Sequence, residues 1–261
     1  MINQLSVFNV KLPKIRFGYP WDGGYIIAIQ ALCQSEALFS YGVGNDISLE
    51  VDYIEATNKK AYLFDHTIDN VIFPAWACDK GIFTKEGLSG KKTRDTDHFF
   101  SHYDKYFQNE SEDLLSSSQK KVLFKCDVEG CEYEFLLNTD MQKMSEITTG
   151  LLFEFHNLKD PETRKIFFEC IEKINKYFYL CHVHGNNYSS NFNYFEDRFS
   201  PELNKNYTEK FSIPSDIELS FVNKKLVIEA FRDFRDYPSK SLDKPNNPSA
   251  PDSDLSFLKK I

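Results

Sequence analysis

The chain reads as an α/β protein with a mostly parallel sheet covered by helices on both faces, and three observations predict it. Short, fully apolar runs recur along the sequence, most of them separated by stretches long enough for a helix. In Leu38 to Glu50, LFSYGVGNDISLE, an apolar run that reads as a buried strand ends in Gly42-Val43-Gly44, a tight turn whose missing side chains let backbone amides approach a ligand. The next run, Ala61 to Phe64, ends in Asp65, an acid about 20 residues past the glycines, where a Rossmann-type fold puts the carboxylate that holds a ribose. The place of a third glycine is taken by Ile47, so an ordinary strand turn is the competing reading.

Length and composition bound the answer. The chain of 261 residues is ample for one large α/β domain, and we assign residues 1–236 to it, with a polar insertion around 80–118 and an extended tail over 237–261. A net charge of −8 with pI near 5.3 argues against nucleic acid as a partner. No apolar run has the length of a membrane span and Met1 to Arg16 lacks the pattern of a secretory signal, so no membrane insertion is expected and the location expected is cytoplasmic. Cys33, Cys78, Cys126, Cys131, Cys170 and Cys181 form no CxxC pair and read as free thiols.

Taken in order, the N-terminal stretch to Ile15 has no clear period. Arg16 to Tyr25, RFGYPWDGGY, contains Asp-Gly-Gly turn chemistry, and Tyr25 to Leu38 is predicted as a helix with Ile26, Ile29, Leu32 and Cys33 on one face. This is a plain turn before a helix, or a lid in which Arg16 or Asp22 meets a carboxylate or an ammonium group. Asp46 to Thr57 is predicted as a short helix, with Asp46 and Glu50 in its first turn and capping as the plain role of Asp46 and Ser48. Strands are predicted at Ala61–Phe64, Val71–Ala77, Val122–Cys126, Gly150–Phe155, Tyr177–Val183, Ile217–Val222 and Leu226–Phe231, with helices at Cys131–Leu137 and Glu162–Lys176. The polar insertion should be loop with a helix near Phe99–Phe107, and the tail from Tyr237 is too poor in apolar residues for a core of its own.

In an open α/β sheet the ligand sits outside the carboxyl ends of the strands. Here those ends are polar: VLFKC runs into Asp127-Val128-Glu129-Gly130, GLLFEF carries Glu154 and leads to His156, and YLCHVHG carries His182 and His184 before Asn186-Asn187. Each pair stands two apart, which puts it on one face. Singly these are helix caps or satisfied core histidines; together they point acids and imidazoles at one region.

The segment KCDVEGCEYEFL resembles the K-x-D-V-E-G-x-E motif of FkbM-type S-adenosylmethionine (SAM)-dependent methyltransferases, and LLFEFH resembles the strand that follows it there. RFGYPWDGGY, FSYGVGNDISLE, HVHGNN and IELSF are similar to landmarks of a subgroup of that family, in the same order, from about Arg16 to Phe231. The resemblance implies the Rossmann-like fold of class I SAM methyltransferases, a seven-stranded sheet with its last strand antiparallel, and SAM over the glycine turn. Gly42 and Gly44 would face the methionine and ribose, and Asp65 the ribose hydroxyls. The widespread motif has an acid where this chain has Ser40 and a glycine where it has Asp46; Arg16, Asp22 or Glu50 would supply the missing contacts.

The expected chemistry is methyl transfer to a sugar hydroxyl, of a nucleotide-activated sugar such as a heptose for capsular or surface polysaccharide. His156 is the first choice for general base and Asp127 the second. Alternatively, Asp127, Glu154, His156 and His182 or His184 bind Mg²⁺ or Mn²⁺, which lowers the hydroxyl pKa. Tyr25, Glu129, His182, His184, Asn186 and Asn187 are the residues expected to meet the substrate, while Lys91, Lys92 and Arg94 read as a solvated basic run or a diphosphate contact. A homodimer is kept open. The rival readings are a nicotinamide oxidoreductase, a metal-dependent hydrolase, and a non-catalytic carbohydrate-binding protein of degenerate methyltransferase fold.

Overall fold

A computed structural model describes residues 1–107, 119–200 and 204–261. We number the strands of the central sheet β1 (Ala37–Tyr41), β2 (Lys60–Phe64), β3 (Gly81–Thr84), β4 (Val122–Cys126), β5 (Thr148–Phe155), β6 (Phe178–Gly185) and β7 (Ile217–Asn223). Their order is β6-β7-β5-β4-β1-β2-β3, with β7 antiparallel to β5 and β6 and the four pairs from β5 to β3 parallel. This is the α/β, Rossmann-like sheet that the resemblance implies.

Helices α1 (Ile29–Gln34), α2 (Ser48–Thr57), α3 (Phe99–Phe107), α4 (Glu132–Asn138), α5 (Met141–Ile147) and α6 (Pro161–Asn175) complete the frame. Because side chains alternate along a strand, each strand feeds two cores. Phe39, Phe124 and Phe153 join α3, α4 and α6 on one face, while Leu38, Leu123 and Leu152 join α1 and α2 on the other. The start of α6 shows the local logic: Pro161 opens the helix and the Asp160 carboxylate accepts from the Thr163 amide.

Three expectations are corrected and one element was unforeseen. Tyr25–Ala28 is a strand, fully buried and paired with Lys14–Phe17 in a hairpin, and only Ile29–Gln34 of the expected helix is helical. Val71–Ala77 is not a strand: Pro74 lacks an amide hydrogen and opens a turn closed by the Ala77 amide, so the strand falls at Gly81–Thr84 instead. Leu226–Phe231 leaves the sheet through a 3-10 turn, and Phe231–Arg232 pairs with Phe8–Asn9. A long hairpin, Asn191–Ser200 with Lys205–Pro214, was not expected at all.

The polar insertion carries α3 as expected, and its end, residues 108–118, lies outside the described residues. The tail is not a loose end: Leu255, Phe257, Leu258 and Ile261 are buried in the main core, and Asp243 and Asn246 are buried with them. All six cysteines are free thiols. Among the described residues no helix is long and apolar enough to cross a membrane.

Gly42 and Gly44 separate two jobs. Gly42 has φ +70° and a Cβ there would overlap the Asp127 carbonyl oxygen, whereas Gly44, at φ +52°, faces open space. Gly42→Ala is therefore expected to destabilise the protein by at least about 3 kcal/mol, and Gly44→Ala by about 1 kcal/mol of left-handed backbone strain. Urea denaturation of the two variants measures the difference.

Candidate active site

The site is built at the carboxyl edge of β1, β2, β4 and β5. The turn after β1 is tied to both neighbours: the Gly42 amide donates to the Phe64 carbonyl oxygen (2.9 Å) and the Asp127 amide to that of Tyr41 (3.1 Å). At the end of β2, Asp65 accepts from the Gly44 amide (2.9 Å) and from the Thr67 amide and hydroxyl (2.8 and 2.6 Å). Burial opposes its charge, but these hydrogen bonds hold its pKa below the usual carboxylate range.

The hairpin loop docks on α2, with the Gly18 amide donating to Asp52 (2.8 Å) and the Tyr19 amide to the Ser48 hydroxyl (2.7 Å). Asp46 accepts from the Ser48 amide (2.8 Å), a local turn contact one residue ahead of the helix cap, which falls on Ile47 and has no side-chain capping bond. Ser40, standing where the widespread motif has an acid, donates its hydroxyl to Glu50, which reaches back from α2. Burial raises the Glu50 pKa against the opposing charge of Lys125, and its Oε2 is shielded from solvent without a partner among the described residues. Arg16 donates Nη2 to the Trp21 carbonyl oxygen (2.7 Å), while its Nε and Nη1 are likewise shielded and unpartnered.

Next to the turn is a cluster of acids around one imidazole. His156 Nε2 lies 3.7 Å from Asp127, 3.6 Å from Glu129 and 3.8 Å from Glu154, while Nδ1 faces Glu132 at 3.3 Å. Glu132 is fully buried and also accepts from the amides of His156 (3.0 Å) and Gly130 (2.7 Å). Burial works against the imidazolium, but the Glu132 hydrogen bond and the charges of Glu154, Glu132 and Asp127 outweigh it and raise the His156 pKa to about 9. Lys125 donates to the Gly42 carbonyl oxygen (2.8 Å) and lies 3.3 Å from Asp127. The Tyr25 hydroxyl donates to Asp127 (3.1 Å) and Asn186 to Glu154 (2.8 Å). Burial, then the charges of Asp127 and Glu218, push the Glu154 carboxyl well above the usual range.

Asp127, Glu129, Glu154, His156 and Asn186 thus converge from the strand ends, and Tyr25, expected at the start of a helix, joins them from the first hairpin. Asp127 and Glu129 do so from a loop rather than a strand: β4 stops at Cys126, and Glu129 has φ +52°. One oxygen each of Asp127 and Glu129 and one nitrogen of His156 lie within 4.8 Å of one another, a spacing that suits a cation.

Several expected residues go elsewhere. His182 does not reach the cluster, because its Nε2 pairs with Asp243 of the tail at 2.7 Å. His184 is held between Glu218 (2.9 Å) and Asp252 (3.0 Å), which raise its pKa to about 10 against the opposing effect of burial. Asn187 binds tail carbonyls of Asn247 and Pro251 (both 3.0 Å), and Asp22 accepts from Asn246 (2.9 Å), which also donates to Glu218 (2.7 Å). Lys92 pairs with Asp97 (2.6 Å). Residue-level reading missed Lys125, Glu132, Glu218 and Asn246; the first two lie inside KCDVEGCE and Glu218 inside IELSF, so attention to whole motifs finds three of them.

No protein-family model matches the chain, and no curated protein matches it in sequence. Among solved structures it is similar to an rRNA methylase from Streptococcus thermophilus, at 11% identity and TM-score 0.34, covering 74% of this chain and 90% of that one. It is also similar to precorrin 8w decarboxylase from Methanobacterium thermoautotrophicum, at 10% identity and TM-score 0.33, covering 84% and 96%.

The raised pKa values of His156 and His184 set a pH dependence of stability. Both lie above the ordinary imidazole value, so their contribution is fully present below about pH 6.5 and is lost as pH rises through about 9 and about 10. Denaturation between those limits is expected to show stability falling with pH, by up to about 1.4 kcal/mol per pH unit for each group, and a flatter curve for the double variant His156→Gln, His184→Gln.

Proposed function

We propose that this chain is a SAM-dependent O-methyltransferase that acts on a sugar hydroxyl. The observation that carries the reading is a set of shielded charged atoms without a partner among the described residues: Arg16 Nε and Nη1, in the hairpin whose loop docks on α2, and Glu50 Oε2, on α2 itself. A zwitterionic amino-acid end, with one carboxylate and one ammonium, satisfies both, and Asp65 stands one strand away for a ribose diol. The open space above Gly44 leaves the backbone accessible to that ligand. When bound, SAM supplies a methyl group already activated on a sulfonium.

The chain's own residues then orient an acceptor and take its proton. Tyr25 and Lys125 fix the Asp127 carboxylate, which accepts a hydrogen bond from a neighbouring hydroxyl of the acceptor and leaves the reacting hydroxyl's hydrogen to His156. His156 removes the proton at Nε2, and Glu132, bonded to Nδ1, keeps that nitrogen facing the cluster. With a pKa of about 9 the ring is mostly protonated at neutral pH, so turnover rises with pH toward that value. Polar groups on three sides, Glu129, Glu154 and Asn186, suit an acceptor with several hydroxyls. A second reading of the same cluster is a divalent cation on Asp127, Glu129 and His156, favoured by their spacing.

Calorimetric titration of chelator-treated protein with SAM and S-adenosylhomocysteine, against NAD and with or without Mn²⁺, tests this. Micromolar binding of the first two, lost in Asp65→Ala, is the expected outcome; folded protein that binds neither overturns it. Once an acceptor is found, Glu132→Gln is expected to lower the His156 pKa and move the rising limb of the pH–rate profile to lower pH. A limb that stays in place removes His156 from the role of base.

A further inference from the structure

A cavity of about 180 Å³ lies between β6, the residues leading into the first hairpin, and the segment from Arg235 to Leu242. It is separate from the proposed active site, and its charges are unevenly satisfied. Asp236 pairs with Lys259, and Asp233 takes both the Arg235 guanidinium (2.5 Å) and the Tyr237 hydroxyl (3.0 Å). Asp243 is held by His182 (2.7 Å) and the Ser239 amide (2.5 Å). Lys14 differs: it is half-buried, forms no ion pair among the described residues, and donates to the Cys181 carbonyl oxygen. Burial holds its pKa below the usual lysine range, with nearby Arg235 acting in the same direction and Cys181, Asp233 and Asp243 acting against it.

His182 completes the lining. The Asp243 carboxylate requires a proton on the Nε2 it faces, so in the neutral ring Nδ1 carries a lone pair. That side chain is 3% exposed, and Nδ1 has no partner among the described residues. Burial keeps the ring on the neutral side, helped by the charges of Lys14 and His184 and opposed by Asp243. The cavity therefore offers two cationic donors, Lys14 and the Arg235 Nη1 that takes no part in the pairing with Asp233, together with one bare acceptor. A fully ionised oxyanion satisfies only the donors; an oxyanion that keeps one O–H satisfies both.

We propose that this cavity binds a hydrogen phosphate group, free or as a monoester, with Lys14 and Arg235 facing its anionic oxygens and His182 Nδ1 accepting from its P–O–H. Sulfate has the same shape and no hydrogen at neutral pH, which makes it the discriminating probe. The full chain is titrated with inorganic phosphate and with sulfate at constant ionic strength, reading melting temperature and the ring-nitrogen NMR signals of His182. The expected result is a saturable rise with phosphate that moves the Nδ1 signal, about ten-fold weaker affinity for sulfate, and loss of the effect in Lys14→Met. Equal response to the two anions, an unmoved Nδ1 signal, or an undiminished effect in Lys14→Met overturns the proposal. Should that variant fail to fold, the sulfate comparison and the Nδ1 signal decide it on the unaltered protein. Repeating the titration with glycerol phosphate near pH 6, where a monoester keeps much of its hydrogen, tells the sources apart. Binding equal to that of inorganic phosphate assigns the site to a phosphorylated ligand, and exclusion assigns it to the free anion.

Discussion

The ammonium of Lys125 holds the carboxyl edge of the sheet together. It is buried at the end of β4, donates to the Gly42 carbonyl oxygen of the glycine turn, and lies beside the Asp127 carboxylate. A buried cation is tolerated only when carbonyl and carboxylate oxygens surround it. That requirement fixes the turn after β1 against the loop after β4, which is why Gly42 has no room for a side chain. Tyr25, lying over Lys125 with its hydroxyl on Asp127, brings the first hairpin into the same arrangement. One charge thus positions the turn, the loop and the hairpin that border the site.

The same edge carries more acid than base. Glu154 and Glu218 stand directly opposite each other on β5 and β7, both buried, an arrangement that repels when both are ionised. Two responses are visible. The Glu154 carboxyl is pushed toward its protonated form, and amides and imidazolium from elsewhere, Asn186, Asn246 and His184, take the remaining oxygens. The C-terminal segment therefore completes the electrostatics of the sheet as well as covering it.

Much of this was legible in the sequence, for a definite reason. Strands buried on both faces are written as apolar runs, so β1, β2, β4, β5, β6 and β7 were found within a few residues. The hairpin Asn191–Ser200 with Lys205–Pro214 was not, because its outer half faces solvent and leaves no apolar run. Val71–Ala77 was misread because composition outweighed the one proline that forbids a strand. In the site, Asp127, His156 and Tyr25 were legible as polar residues at strand ends and turns. Which partner each would take was not: whether His182 faces substrate or Asp243 depends on where the tail runs, and the tail has too little apolar periodicity to tell. Glu50 was suspected from its place after the glycines; its contact with Ser40 was not, because the return of α2 onto β1 brings the two together.

The bridge from Asp22 through Asn246 to Glu218 also bears on how the protein is made. Asp22 and Asn246 are 224 residues apart, so at about 5–20 residues per second the ribosome takes on the order of 10 to 45 s to deliver the second after the first. For that interval the hairpin loop has no counterpart to close against, and Glu218, made 28 residues before Asn246, lies open to water until Asn246 follows. Closing this part of the sheet edge is a late event of biogenesis, and a nascent chain stalled short of Asn246 would present it open to the quality-control machinery.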